Sequence, residues 1–339
     1  MIKPSNGRMF HRAKRAIVKG TGSSVPEKVL SNLDLEKMVE TSDDWITSRT
    51  GIRERRVVAN GETTASLSLQ AARTALDAAG VLPDDLDLII CATITPEMVC
   101  PSTACFVQDG LGARNCAAYD LAAACSGFTY SMSTAAAFIA SGQCDHVLVI
   151  GAETLSTITD YTDRTSCILF GDGAGAVVLS AEEDSDAGLI YSSMAADGGS
   201  WETIACQAYG SRNPVGNGLD DPQKKFLYVK GRETYQVAVR TIVDMIEQVY
   251  ATCNISSVDV AKIIPHQMNA RIIESVAKRL NLPEDKMFVN IGSYGNTSAA
   301  SIPIALDEAV REGHVQKGDL VILVAFGAGL TWGINLIKL

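Results

Sequence analysis

An α/β fold with mainly parallel sheets, covered on both faces and arranged as two similar halves, is what this sequence predicts. Three observations carry the prediction. Short apolar, β-branched runs alternate with stretches of helical period, the helical stretches close on glycine, and the order of these elements occurs twice along the chain.

Strands are predicted over 16–22 (AIVKGTG), 87–94 (DLIICATI), 117–123 (AAYDLAA), 146–153 (HVLVIGAE), 175–180 (GAVVLS), 261–267 (AKIIPHQ), 287–291 (MFVNI) and 319–326 (DLVILVAF). Each is short and continuously apolar, as a strand buried on both faces must be. The helical stretch TTASLSLQAARTALDAAG ends on Gly80 with Pro83 beyond it, SGFTYSMSTAAAFIASG ends on Gly142, and SAASIPIALDEAVREG ends on Gly313. Two more helices are expected over 234–252 and 268–280.

In the first half a helix leads through GVLPDDLDLII to a strand, a loop, a helical stretch, the strand AAYDLAA, Cys125, the helix 126–141 and the strand HVLVIGAE. In the second, the helix 234–252 leads through NISSVDVAKII to a strand, a His-bearing loop, a helix, MFVNI, the GNTS turn, the helix 299–312 and DLVILVAF. With Asp87 laid on Asp259, His266 falls opposite Ile94, and Cys125 and Asn296 fall in equivalent strand-to-helix turns. Ligands of open α/β sheets gather where strands end, so these residues are expected to face one cleft. The halves are placed at 16–185 and 186–339, and the basic start MIKPSNGRMFHRAKRA is read as a disordered extension over 1–15.

The chain has 339 residues, 47% hydrophobic and 20% charged, enough to bury a large core. A net charge of −10 argues against a general nucleic-acid binder, which needs a basic face to displace counterions. No apolar run approaches the roughly 20 residues that span a bilayer, so membrane insertion is not expected. The nine cysteines include no Cys-x-x-Cys pair and no paired His ligands, which suggests reduced thiols in the cytoplasm and no metal site. The glycine-rich strings KGTGSS (19–24) and GDGAGAV (171–177) lack the strand, helix and acidic residue of a dinucleotide site and are read as turns.

Most of the cysteines read as small buried hydrophobes. Cys125, in LAAACSGF, stands apart, because small residues permit a sharp turn and an apolar helix follows it at once. A helix N-terminus aimed at the sulfur is expected to lower the thiol pKa from ~8.5 towards ~7 and to offer N–H groups to an oxyanion. His266 follows the apolar run KIIP, where a solvated imidazole would be out of place; it is either a reactive group or a hydrogen-bonded core histidine. His11, His146 and His314 have polar or terminal settings. Asn296, in SYGNTSAAS, is open between chemistry and a helix cap.

The strings DLAAACSGF, IIPHQMNARI, YGNTSAAS and FGAGLTWG, with TSDDWITSRTGIRER and FGDGAGAVVL, resemble β-ketoacyl-acyl-carrier-protein synthase III of the thiolase-like superfamily, from about Ala16 to Leu339. The resemblance implies two duplicated halves in a five-layered αβαβα fold and a homodimer. It also implies acyl transfer from an acyl-CoA, expected to be acetyl-CoA, to Cys125, with backbone N–H groups of Cys125 and Ala328 as the oxyanion hole. Malonyl-acyl carrier protein then loses CO₂ while neutral His266 and Asn296 hold the enolate oxygen. No metal or redox cofactor is implied, coenzyme A being part of the substrate.

Carried over by position, coenzyme A contacts fall on Thr41, Trp45, Arg49, Arg164 and Asn269, with Trp45 and Arg164 about the adenine. Read without the family, Trp45 would be a packing residue and Arg49 a solvated charge. Arg271, Lys278 and Arg279 fall on one side of the helix after His266 and are expected to dock the acidic carrier protein. Three departures are noted. Cys100 stands where relatives often carry a larger side chain, which implies a roomier acyl pocket. Ala328 replaces a common glycine, and Gln236 stands where some relatives have lysine. The loop 195–215 is expected to close the pocket. Polyketide synthases and single-condensation enzymes of secondary metabolism share the Cys-His-Asn set and are the alternative.

Overall fold

Apolar runs become strands wherever expected except at 287–291. The computed structural model describes residues 8–9, 14–208, 210–214 and 221–339. One sheet runs Arg15–Ser24, Asp172–Glu182, His146–Thr154, Leu88–Ala92, Ala117–Leu121. The other runs Arg8–Met9, Gly188–Ala196, Thr331–Lys338, Leu320–Gly327, Val260–Pro265. From Arg15–Ser24 and from Gly188–Ala196 onward the pairing sequence is the same: antiparallel, antiparallel, then parallel. In the fifth place, Leu88–Ala92 pairs in parallel with Ala117–Leu121, whereas Val260–Pro265 is met by a single parallel bridge, Ile263 to Met287.

That bridge marks the correction at 287–291. Gln267 Oε1 accepts the backbone N–H groups of Asn290 (3.1 Å) and Ile291 (3.2 Å), and the chain turns into the short helix Ile291–Tyr294. A side chain has taken donors that a strand would have given to its neighbour. The strands Gly188–Ala196 and Thr331–Lys338 were not anticipated, because buried polar residues interrupt their apolar pattern. Asn335 Nδ2 donates to Ser133 Oγ (2.9 Å) and Ser192 Oγ (3.2 Å), so the amide nitrogen and the two hydroxyls are paired between the layers.

Side-chain alternation sorts the layers. Val147 and Val149 face inward to a central core with Phe128, Met132, Ile302, Leu306, Val321 and Leu323, while Leu148 and Ile150 face outward to Leu67, Ala71 and Leu76. The helices Gly127–Ala140 and Ser301–Arg311 therefore lie between the sheets. Thr64–Ala79 covers the first sheet outside, and Gly231–Cys253 with Ala270–Arg279 covers the second. The result is a five-layered αβαβα molecule.

Apart from Gly171, the glycine-rich strings are strand residues, not turns. A Cβ on Gly22 would lie 2.5 Å from Ala71 O, and one on Gly175 would lie 2.6 Å from Ile304 N, so helix backbones rest directly on the sheet there. The expected disordered start is corrected in part. Arg8 and Met9 pair with Ser192 and Tyr191, Lys14 bonds Asp145 at 3.0 Å, and Arg15 opens a strand. The remainder of that extension, His11 included, lies outside the described residues.

Candidate active site

Two 3-10 turns, each leading into a helix, build the site, the first after a strand and the second after the short helix Ile291–Tyr294. Ala117–Leu121 passes through a 3-10 turn, Ala124–Ser126, into Gly127–Ala140; in the second half Ser298–Ala300 leads into Ser301–Arg311. Each turn begins with a non-glycine residue in the left-handed region, Ala124 at φ 47° and Ser298 at φ 48°. Matched on that backbone kink, Cys125 corresponds to Ala299, and Asn296 lies just before its turn. The expected equivalence of Cys125 with Asn296 is thus offset, although both face the same space. Strained backbone at paired positions marks where side chains are aimed.

Cys125 borders a cavity of about 130 Å³ together with His266, Asn296, Asn269, Ala328, Phe326 and Met268. Gly327 passes so close that a Cβ there would lie 2.8 Å from both Cys125 Cβ and Cys125 N. This contact brings the Ala328 N–H to the sulfur, and Ala328 itself stays outside the left-handed region. Thr331 Oγ1 ties the two segments, reaching Ala123 O (3.0 Å) and Ala328 O (2.9 Å). The expected fall in thiol pKa is reversed. Burial pushes the Cys125 thiol up to about 11, with Ser298 and the N–H groups of Cys125 and Ala328 pulling the other way. Desolvation outweighs the donors before substrate arrives.

His266 directly follows the strand Val260–Pro265, and its N–H donates to Val324 O at 2.8 Å. Burial lowers the imidazole to about 3, so it is neutral. Its Nδ1 lies 2.7 Å from Ser301 Oγ, which also accepts the Gln267 N–H at 3.4 Å. With the Ser301 hydroxyl donating to Nδ1, the ring proton sits on Nε2, which has no partner among the described residues. Asn296 is fixed by its own backbone, N–H to Leu169 O and C=O from Gly171 N–H, and its Oδ1 accepts the Ser298 N–H at 2.9 Å. Its Nδ2 is left to donate. Two neutral donors thus face the cavity beside one thiol.

At the cavity's outer end the residues expected about coenzyme A form one cluster. Arg49 Cζ lies 4.7 Å and Arg164 Cζ 5.6 Å from the Trp45 ring centre. Arg164 donates to Glu40 O at 3.2 Å, beside Thr41, whose hydroxyl is buried without a partner. Asn269 Nδ2 donates to Arg49 O at 3.2 Å and caps the helix Ala270–Arg279. Asn269 belongs to both groups and joins them.

Similarity to known proteins agrees with this geometry. The family model described as 3-oxoacyl-[acyl-carrier-protein (ACP)] synthase III matches residues 119–198, and that of its C-terminal part matches 250–339. The β-ketoacyl-[acyl-carrier-protein] synthase III of Natranaerobius thermophilus is 50% identical over 325 residues, covering 95% of this chain and 99% of its own. That of Caldanaerobacter subterraneus subsp. tengcongensis is 49% identical over 319 residues, covering 94% and 96%. The chain belongs to this synthase III family. The crystal structure of the Aquifex aeolicus 3-oxoacyl-[acyl-carrier-protein] synthase III superposes with a TM-score of 0.89 at 46% identity, covering 96% of this chain and all (100%) of that one. The secondary-metabolism alternative is not the one these relatives carry, and the synthase is a condensing acyltransferase.

Beside the Cys125 turn the synthase has a larger cavity of about 890 Å³, bordered by Ile94, Val99, Ala122, Trp201, Ile204 and Ala328 among others. Cys100 is exposed and lines neither cavity; its neighbour Val99 does, at 89% exposure. Trp201, Ile204, Cys206 and Gly210 of the loop 195–215 border that space, while its residues 209 and 215 lie outside the described residues. Arg271, Lys278, Arg279 and Gln236 are all exposed. Among the described residues no group of three or more His, Cys, Asp or Glu converges as metal ligands, and no helix is long and apolar enough to cross a membrane.

Sequence reasoning passed over Gly327, Ser301, Ser298, Thr331 and Glu153. Ser298 and Ser301 lie in the SAAS string, and Gly327 in FGAG. Both strings carried the signal, but small residues do not disclose which neighbour they touch.

Proposed function

We propose that the synthase condenses a short acyl-CoA, acetyl-CoA or a somewhat longer one, with malonyl-acyl carrier protein through an acyl-Cys125 intermediate and thereby starts fatty acid synthesis. Sγ of Cys125 attacks the thioester carbonyl, and the N–H groups of Cys125 and Ala328 take the charge that develops on oxygen. The bond to the coenzyme A sulfur then breaks. Malonyl thioester enters next and loses CO₂. The electron pair of the broken C–C bond becomes an enolate whose oxygen accepts from His266 Nε2–H and Asn296 Nδ2–H. Its carbon attacks the acyl-Cys125 carbonyl, and the thiolate is released. Loss of CO₂ drives bond formation, so the chemistry calls for no metal or redox cofactor.

The observation that carries this reading is the meeting of Cys125, His266 and Asn296 in one cavity that Asn269 joins to the Trp45, Arg49 and Arg164 cluster. A neutral imidazole suits an enolate better than a charged one, which would hold malonyl carboxylate and resist CO₂ loss. Coenzyme A is placed along that cluster with Thr41. Arg271, Lys278 and Arg279 form the docking face for the carrier, spread over about 12 Å of helix. The exposed apolar pair Met98 (46%) and Val99 at the edge of the larger cavity supports a homodimer whose second copy covers it. Its free cysteines suit a reducing cytoplasm. We divide the halves between residues 185 and 186, after one sheet's strand Asp172–Glu182 and before Gly188–Ala196 of the other.

The test supplies acetyl-CoA and malonyl-acyl carrier protein and measures acetoacetyl-carrier protein. Its formation at full rate from malonyl-CoA in place of the carrier-bound form would favour the polyketide reading instead. For acyl length, the cavity of about 890 Å³ beside the Cys125 turn, and not Cys100, favours propionyl- and longer acyl-CoA as substrates too. Acylation with acetyl-CoA alone, across a panel of chain lengths, would contradict that.

A further inference from the structure

Arg55, in the middle of the strand Glu54–Arg56, is fully buried, and among the described residues it pairs with no Asp or Glu. Burying a cation without an anion is costly. Burial lowers the guanidinium to about 10, so it stays charged at neutral pH. Its two terminal nitrogens serve different segments of the chain. Nη1 donates to Leu30 O (3.0 Å) and Asn32 Oδ1 (2.9 Å), and Nη2 donates to Ile168 O (2.8 Å). Nε is without a partner.

Each acceptor leads to a different part of the site. Asn32, itself buried, donates its amide to Asp43 Oδ1 (2.7 Å) and Ile52 O (2.8 Å), and so holds the helix Asp43–Thr50 that carries Trp45 and Arg49. Just beyond Ile168, Leu169 O accepts the Asn296 N–H at 2.8 Å, and the Gly171 N–H donates to Asn296 O at 3.0 Å. Phe170, between them, bridges Asn296 in parallel. The Arg55 stem rests on the same chain: a Cβ on Gly171 would lie 3.1 Å from Arg55 Cβ, and one on Gly295, which directly precedes Asn296, 3.2 Å. Leu35 and Ile46 of the first arm and Cys167 and Ile168 of the second share one apolar cluster. Apolar packing is non-directional and brings the arms together; the planar guanidinium fixes their register.

We propose that Arg55 is a positioning residue that sets Asn296 and the coenzyme A wall in one fixed relation, so that a single buried guanidinium serves both half-reactions. The arm through Asn32 holds Trp45 and Arg49 where acyl-CoA lies. The arm through 168–171 holds Asn296 so that its Nδ2 meets the enolate oxygen beside His266 Nε2. Arg55 makes no hydrogen bond to the Cys125 turn or to Gly327 and Ala328, so attack by the thiol on bound thioester does not depend on it. Lysine at this position would keep the charge and lose the function. Its ammonium is a compact point charge that offers no planar fork to acceptors on two segments.

This inference rests on Cys125 and Asn296 acting as proposed, and one experiment separates the two claims. Single-turnover acylation is followed by intact mass over a range of acetyl-CoA concentrations, and CO₂ release is measured with saturating malonyl-acyl carrier protein. The proteins are the wild type, Arg55→Lys, Asn32→Leu, Asn296→Ala and the double variant of Arg55→Lys with Asn296→Ala. In Arg55→Lys the acetyl-CoA concentration for half-maximal acylation is expected to rise about tenfold and CO₂ release to fall about tenfold, while the maximal acylation rate stays near that of the wild type. Asn32→Leu cuts one arm alone and should raise that concentration without slowing CO₂ release. Arg55→Lys should add nothing to the loss of CO₂ release that Asn296→Ala already causes. A residue that merely braced the fold would lower maximal acylation and CO₂ release together, and that result would overturn the proposal. So would half-saturation or CO₂ release unchanged in Arg55→Lys, or losses that add in the double variant. Should Arg55→Lys fail to fold, Asn32→Leu decides, because an unchanged half-saturation there would overturn the proposal. A wild type that takes no acyl group on Cys125, or an Asn296→Ala variant that releases CO₂ as fast as the wild type, would overturn the parent reading and the inference with it.

Discussion

His266 and Glu153 are both buried, and burial moves them in opposite directions. The consequence is measurable in stability. His266 falls from 6.5 to about 3, so below pH 6.5 the unfolded chain binds a proton that the native one refuses, and stability is lost as pH drops. Glu153 rises from 4.5 to about 7, so the native chain holds a proton the unfolded one has lost, and stability falls as pH rises through that window. Between pH 4.5 and 6.5 the two slopes cancel, each about 1.4 kcal/mol per pH unit. Chemical denaturation of Glu153→Gln should therefore gain stability with pH across this window more steeply than the wild type; equal slopes would contradict the buried, protonated carboxyl. For catalysis, His266→Ala and Asn296→Ala are each expected to slow malonyl decarboxylation by about 10²–10³-fold while acetyl transfer to Cys125 persists. A mass assay for acylation and a CO₂ assay for decarboxylation separate the two half-reactions.

Elements place these side chains, and the one that tolerates least change is the end of Leu320–Gly327. A Cβ on Gly327 would press on Cys125 and push the Ala328 N–H away, so Gly327→Ala should cost about 10²-fold in acylation. An unchanged rate would remove Ala328 from the oxyanion hole. Ser301, on the first turn of its helix, fixes the His266 tautomer, and Ser301→Ala should lower decarboxylation by about tenfold, as loss of an outer partner does. Much at this scale was readable beforehand. Continuous apolar runs such as DLVILVAF declare buried strands, and helices that close near Gly80, Gly142 and Gly313 declare their ends. Less readable were features fixed by long-range partners. Gln267 diverts 287–291 from the sheet, Ser133 and Asn335 make polar strands acceptable inside, and Glu153 looked like the end of one more apolar strand. The thiol pKa was misjudged for the same reason. A turn and a helix N-terminus are local and visible, but the burial that outweighs them comes from segments far along the chain.

Across the whole molecule the proposed mechanism divides the labour between two halves: the first would supply Cys125, the second His266, Asn296 and the Ala328 N–H. An acidic chain of net charge −10 presents Arg271, Lys278 and Arg279 exposed on the helix that Asn269, a residue of the cavity wall, caps. Charge reversal at Lys278 and Arg279 should raise KM for malonyl-acyl carrier protein, an effect that shrinks with salt, and leave KM for acyl-CoA unchanged. Equal effects on both substrates would place the carrier elsewhere. Trp45→Ala should do the reverse, raising KM for acyl-CoA alone. All of this depends on one thiol among nine. Intact mass after incubation with acetyl-CoA, followed by peptide mapping, tests that dependence most directly. The account predicts a single acetyl group on Cys125 that malonyl-acyl carrier protein removes, and no adduct in Cys125→Ala. An acetyl group on another cysteine, or condensation that survives in Cys125→Ala, would contradict it.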